Sequence, residues 1–139
     1  INARRTLFNI WQKRFYNFPA IIHPRAILPR QIHLFQGVQI LPGAIINPNT
    51  EIGRNTIVNT GAVVEHDCTI GDHVHLAPGV RIAGNVRIGQ GTHVGIGSTV
   101  IQGVTIGEDC LIAAGAVVIR SVPDNSVVMG VPGKIVRTT

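Results

Sequence analysis

GNVRIGQGTHVGIGSTVIQGVTIG, residues 84–107, carries an aliphatic residue at Ile88, Val94, Val100 and Ile106, a strict step of six. The same step extends in both directions: Ile22, Leu28, Leu34, Ile40, Ile46, Ile52, Val58, Val64, Ile70, Leu76 and Ile82 before these four, and Ile112 and Val118 after them. All seventeen positions are aliphatic, with no insertion. Four residues after each comes a second, small or β-branched candidate for the interior, such as Val86, Thr92, Ser98 and Val104, and this series includes Cys68 and Cys110. Three residues after each, from Gly37 to Gly115, fourteen consecutive positions hold only Gly, Asn, Asp or His. These types tolerate positive φ. Pro24, Pro42, Pro48 and Pro78 stand one place before such positions. Pro-Gly at 42–43 and 78–79 is a type II turn signature.

Each hexad therefore reads as a short strand followed by a corner. The corners lack the two-residue chemistry of a hairpin, so successive strands do not pair with each other. The pattern predicts a coil of parallel strands over residues 22–118, each strand stacked about 4.8 Å from its equivalent in the next turn. The expected class is all-β, with a repeat domain at 21–120. Residues 1–20 are read as a helical segment or the remnant of a preceding domain, packed on the first coil. Leu7, Ile10, Trp11 and Phe15 approximate one helical face. Residues 121–139 are read as an extension holding a last strand and then a Val-Pro-Gly-Lys loop.

The chain has 139 residues, enough for one domain with its own core. Its 16 glycines and 4% aromatic content favour strands and tight turns over packed helices. The apolar run LIAAGAVVI, residues 111–119, is about half of a membrane span, so no stable membrane insertion is expected. Two cysteines make no disulfide framework, and a reduced, cytoplasmic protein is expected. Both thiols sit in the inward series and read as small buried hydrophobes. The first residue is Ile and the sole Met is Met129, so the chain is expected to be a piece of a longer one. The net charge of +5 is uneven: Arg4, Arg5, Lys13, Arg14, Arg25 and Arg30 precede the first acid, Glu51. Such a head suits a phosphorylated molecule, an anionic surface or a solvated helix face. Nucleic acid is not an expected partner, because interleaved aromatics and an RNA-binding signature are missing.

Register places the titratable residues. VEHDCTIGDHVH, residues 64–75, holds Glu65, His66, Asp67, Asp72, His73 and His75. His66 follows inward Val64 by two places and projects at an edge of the coil. Asp67 takes the positive-φ corner, and Glu65 points outward. An adjacent carboxylate can orient the His66 ring and raise its basicity, which suits a general base. His73 sits in the corner series and reads as structural. His75 and His93 lie eighteen apart in one outward column with Ile57 and Leu111. They are open to surface, interface or ligand roles. His23 and His33 read as surface residues away from clustered acids. Ile27, Ile45 and Val63 form an outward apolar column that a second subunit or the N-terminal helix would cover.

The repeat resembles the hexapeptide-repeat acyltransferases, whose coil is a left-handed parallel β-helix with three hexads per turn. About five to six coils are implied. VNTGAVVEHDCTIGDHVHLAPG, residues 58–79, the stretch quoted first and the GVPGK ending are similar to one branch of that family. The branch contains sialic acid O-acetyltransferases and nucleotide-amino-sugar N-acetyltransferases. The resemblance implies acetyl-CoA as co-substrate, a nucleotide-sugar substrate, a homotrimer with the coenzyme groove between subunits, and no metal. It implies His66 as base with Asp67 strengthening it, and Glu65 and His66 beside the acceptor. His75 would touch acetyl-CoA, with Gly84, Gly95, Ile96, Ala113 and Ala114 lining the pantetheine groove. The activity expected is acetylation of the amino group of a nucleotide-linked amino-deoxy sugar in bacterial glycan biosynthesis. Alternatives are O-acetylation of sialic acid or another polysaccharide sugar, a zinc hydratase resembling the γ-type carbonic anhydrases, and a non-catalytic trimeric module.

Overall fold

The structure, a computed structural model, describes residues 2–14 and 16–138. After one helix, α1 (Asn2–Gln12), the chain winds into a left-handed parallel β-helix of about six turns. Two-residue strands alternate with corners, and each strand pairs in parallel with the one eighteen residues further on. Thus Ile57 lies beside His75, His75 beside His93, and Arg81 beside Thr99. Three sheets make the walls of a triangular prism. Face A shows Gln39, Ile57, His75, His93 and Leu111 outward. Face B shows Ile45, Val63, Arg81, Thr99 and Val117. Face C shows His33, Glu51, Thr69, Arg87 and Thr105.

The corners form as the residue types dictate. All fourteen positions from Gly37 to Gly115 adopt positive φ, between 48° for Asp109 and 70° for Gly37 and Gly91. A left-handed residue there turns the chain by one wall and aims its N–H back at the previous coil. Asp67 N donates to Pro48 O at 3.1 Å, and Gly79 N to Thr60 O at 2.9 Å.

The aliphatic ladder fills the interior. From Ile40 to Val118 each of its members is buried. Only Ile22, Leu28 and Leu34 are more open, because they lie in the first coils. Each fully buried Ile, Leu or Val contributes about 1.5–3 kcal/mol. Polar members of the second inward series satisfy themselves along the axis. Thr50, Thr56, Thr92 and Ser98 donate to the carbonyls of Glu65, Gly71, Gly107 and Ala113 at 2.7–2.9 Å. Cys68 copies this role, its Sγ donating to Ala83 O at 3.2 Å, and Cys110 does the same toward Pro123 O at 3.1 Å. Burial raises both thiol pKa values, as expected of structural cysteines.

The N-terminal segment departs from expectation in two ways. Helix α1 does not sit on the first coil alone; it runs down the edge between faces C and A. Phe8 meets Gly37 and stacks edge-on with His73 at 5.6 Å, while Arg5 pairs with Asp109 at 2.9 Å. That is a span of four coils, about 19 Å, against about 16 Å for the helix itself. Nor is the buried face the one read from sequence. Phe8 is buried, whereas Leu7 is 56% exposed and Ile10 and Trp11 are also exposed. Phe15 lies outside the described residues. Arg4 decides the docking: its guanidinium donates to the carbonyls of Asn55, His73 and Val74, and position 8 follows one turn later. The C-terminal segment also differs. After Ser126–Met129 extends face A, the loop leads into a further strand, Lys134–Thr138, antiparallel to it.

Close stacking makes one class of glycine irreplaceable. A methyl group at Gly89 would lie 2.5 Å from the backbone carbon of Gly107, whereas one at Gly97 meets nothing within 4 Å. Gly89→Ala is expected to cost at least about 1–3 kcal/mol, as overpacking does. Gly97→Asn, at a corner type already filled by Asn49, Asn55 and Asn85, is expected to stay within about 1 kcal/mol. Urea unfolding midpoints of the two variants check the contrast.

Candidate active site

The edge between faces B and C carries His66. Pro48, His66 and Gly84 occupy the same corner place in successive coils. The imidazole lies over Gly84: a methyl group there would come within 2.8 Å of His66 Cε1 and 2.9 Å of Nε2. The missing side chain at 84 is what gives the ring its seat. His66 Nδ1 is 2.6 Å from Asp67 Oδ2, and the ring is 55% exposed. Asn49 Nδ2 donates to the other carboxylate oxygen at 3.1 Å. The His66 and Asn49 hydrogen bonds hold the Asp67 pKa below its ordinary value, so the carboxylate is ionised at neutral pH. An ionised carboxylate only accepts. In the neutral ring Nδ1 therefore carries the proton, and Nε2 presents a lone pair at the surface. Glu65 accepts from Asn47 Nδ2 at 2.9 Å one coil earlier. The geometry is that of an oriented, solvent-facing base.

His75 stands on face A, the wall opposite the B/C edge. Its ring meets His93 edge-on, with centroids 4.9 Å apart. Asn59 Nδ2 donates to His75 Nε2 at 3.1 Å, which puts the His75 proton on Nδ1. Burial, then the neighbouring His93 and Arg4, push the His75 pKa down to about 4. Burial also lowers that of His93. His75 is thus a neutral donor at physiological pH. The six-residue period gives no sign of Asn59, because its spacing of sixteen from His75 falls outside the eighteen-residue columns.

Gly84 shares the edge of His66. Gly95, Ile96, Ala113 and Ala114 lie on the A/B edge, with Ile96 exposed and Gly95 pressed against the backbone of Ala113–Ala114. One chain therefore brings together Glu65, His66, Asp67 and Gly84, and keeps His75 and the A/B residues apart from them. His73 is structural as expected: buried, at φ 60°, with Nδ1 2.9 Å from Asn55 Nδ2. His23 Nδ1 accepts the N–H of Arg25 at 3.1 Å. His33 is exposed, as expected of a surface residue, and its backbone pairs in register with that of Glu51. Among the described residues no group of three or more His, Cys, Asp or Glu is arranged to hold a metal ion. Among them, too, no helix is long and apolar enough to cross a membrane.

The family model for bacterial transferase hexapeptide (six repeats) matches residues 31–66, 49–84 and 85–120. The chain belongs to this family. Similar solved structures include a mutant of GDP-perosamine N-acetyl transferase from Caulobacter crescentus in complex with CoA and GDP-perosamine. That likeness has 40% identity and a TM-score of 0.94, and covers 96% of this chain and 64% of that one. The acetyltransferase domain of PglB from Neisseria gonorrhoeae, solved also with acetyl coenzyme A, is 32% identical at a TM-score of 0.95, covering 97% and 66%. WeeI from Acinetobacter baumannii is 29% identical at 0.92, covering 96% and 66%. This chain spans less than two thirds of the length of each. A search of curated proteins gave no match.

The depressed pKa of His75 fixes a pH signature. Between about 6.5 and about 4 the unfolded chain binds a proton at this residue and the folded chain refuses it. His75 thus makes the fold lose stability as pH falls through that window. Urea midpoints measured from pH 7 to pH 4 should fall less steeply in His75→Gln than in the unmodified protein, and the His75 ring signal should titrate in NMR near pH 4.

Proposed function

We propose that this chain is the acetyl-transfer unit of a nucleotide-amino-sugar N-acetyltransferase, with His66 as general base. The observation that carries the reading is the His66–Asp67 pair, exposed over Gly84 with Nε2 free. The acetyltransferase likenesses support it, and the complexes with CoA and GDP-perosamine point to acetyl-CoA and a nucleotide-linked amino sugar as substrates. They favour N-acetylation over O-acetylation of sialic acid.

The amine nitrogen of the sugar attacks the thioester carbonyl carbon of acetyl-CoA. His66 Nε2 takes a proton from that nitrogen, and Asp67 stabilises the imidazolium through Nδ1. The C–S bond then breaks, and the proton passes to the leaving thiolate of CoA. His75, with its proton on Nδ1, is suited to donate to the oxyanion. Glu65 is assigned to the acceptor side. Gly84, Gly95, Ile96, Ala113 and Ala114 are assigned to the pantetheine groove.

Such a site needs more than one copy of the chain, because His66 and His75 occupy opposite sides of one prism. A homotrimer joins them by setting the B/C edge of one subunit against the A side of the next. The column of Ile27, Ile45 and Val63 on face B supports association: Ile27 is 61% exposed, and α1 docks on the edge opposite that face, leaving the column uncovered.

His66→Ala is expected to lower kcat about 10²–10⁴-fold while the protein stays folded and binds acetyl-CoA. Steady-state turnover of GDP-perosamine or a UDP-4-amino-6-deoxy sugar, with acetyl-CoA binding measured by calorimetry, tests this; unchanged turnover would refute the assignment. Gly84→Ala should displace the ring and lower kcat in the same direction, with little change in melting temperature.

A further inference from the structure

His93 takes no part in the proposed transfer, yet a histidine at its place is hard to account for by the fold. Face A stacks Ile57, His75, His93 and Leu111 in one outward column, each beside the next. The members on either side of the two histidines are aliphatic. His93 is half-buried, and burial holds its pKa below the ordinary value. Among the described residues its ring has no hydrogen-bond partner; its contact is with the ring of His75. Half-burying an imidazole whose nitrogens bond to no protein group costs more than half-burying a leucine in the same place. The wall alone does not explain this residue.

What the imidazole offers is direction. Asn59 holds His75 from one side: Nδ2 donates to His75 Nε2 at 3.1 Å, and the amide is itself oriented, because Oδ1 accepts from Thr60 N at 2.8 Å. One hydrogen bond fixes one nitrogen and leaves the ring free to swing about that bond. The His93 ring closes the other side, edge-on at 73° with centroids 4.9 Å apart. Aromatic rings favour this arrangement because edge and face carry opposite partial charge; an aliphatic side chain has no such preference. The amide thus selects which His75 nitrogen accepts, and the ring contact sets the plane. With Arg4 of α1, His93 also helps keep His75 neutral, so that Nε2 remains an acceptor for Asn59.

We propose that His93 is a positioning residue, its ring set edge-on to His75 so that the His75 Nδ1–H stays aimed at the thioester oxygen on which negative charge develops. This rests on the proposed function, in which His75 donates to that oxyanion, and adds the residue that aims the donor. No proton leaves His75 in the step; its hydrogen bond strengthens as the carbonyl oxygen gains charge. His93 acts through His75 and not on the substrates.

The test compares His93→Leu and His93→Phe with the unmodified full chain, by steady-state turnover of GDP-perosamine with acetyl-CoA and by NMR of the His75 ring nitrogens. Leucine fills the space without a preferred angle, and phenylalanine restores the ring without a titrating group. His93→Leu should lower kcat about ten- to hundredfold, the scale of a misplaced catalytic group, with melting temperature and the KM for acetyl-CoA nearly unchanged. His93→Phe should recover kcat to within about threefold of the unmodified protein. The NMR measurement needs no turnover: His75 should carry its proton on Nδ1 in the unmodified protein and in His93→Phe, and show both tautomers in His93→Leu. A mixture of tautomers in the unmodified protein, a His75 tautomer unchanged by His93→Leu, equal losses of kcat in both variants, or a loss confined to KM overturns the inference. If turnover depends on His66 while His93→Leu changes neither kcat nor the tautomer, the base assignment stands and the positioning role falls. If His93→Leu disturbs His75 and slows turnover while His66→Ala retains it, the positioning role stands and the base assignment falls.

Discussion

The backbone hydrogen bonds that tie each coil to the next, between residues 17 apart as in Ile57 N to Val74 O or 19 apart as in Asp67 N to Pro48 O, are the constraint on which the rest of this protein depends. It works only if the chain turns by one wall every six residues without exception. That requires a left-handed residue at each corner from Gly37 to Gly115 and a branched aliphatic residue behind it. One insertion would shift every later side chain off its column. The inward positions have no freedom, so the chemistry is confined to outward strand residues and corner tips. Function in such a scaffold is a choice of which few exposed places to decorate.

The candidate base shows how the decoration is made. A corner must have positive φ, and Asp67 supplies it at 58°. The same residue then serves as the carboxylate partner of the histidine before it. The next coil provides the seat through a glycine with no side chain to fill it. Three requirements, of backbone, charge and space, are met by residues one and eighteen positions from His66. His75 is tuned by the opposite strategy. Placed on a flat wall beside His93 and held by Asn59, it is kept neutral by partial burial instead of being supported by an acid.

What the sequence revealed follows the same division. The ladder, the corners, the inward cysteines and the direction of His66 were legible because each depends only on position within the six-residue period. The columns were legible too, yet only where two residues eighteen apart were compared. Asn59 escaped because its bond to His75 runs diagonally between coils. The docking of α1 was hidden for a different reason. Hydrophobic periodicity pointed to Leu7, Ile10 and Trp11, but the seat was chosen by a guanidinium finding three backbone carbonyls, which no periodicity encodes. The proposed assembly lies beyond a single prism, and so does any site shared between its edge and its opposite wall.

The helix laid along the C/A edge changes how the whole array can come apart. A solenoid held only by neighbour contacts frays from its ends, coil by coil. Here Phe8 grips the coil of Gly37 and Arg5 the coil of Asp109, so the turns between are clamped like pages under a spine. Local opening of the histidine-bearing region must first peel off this clamp, which merges coils that would otherwise open separately into one cooperative unit.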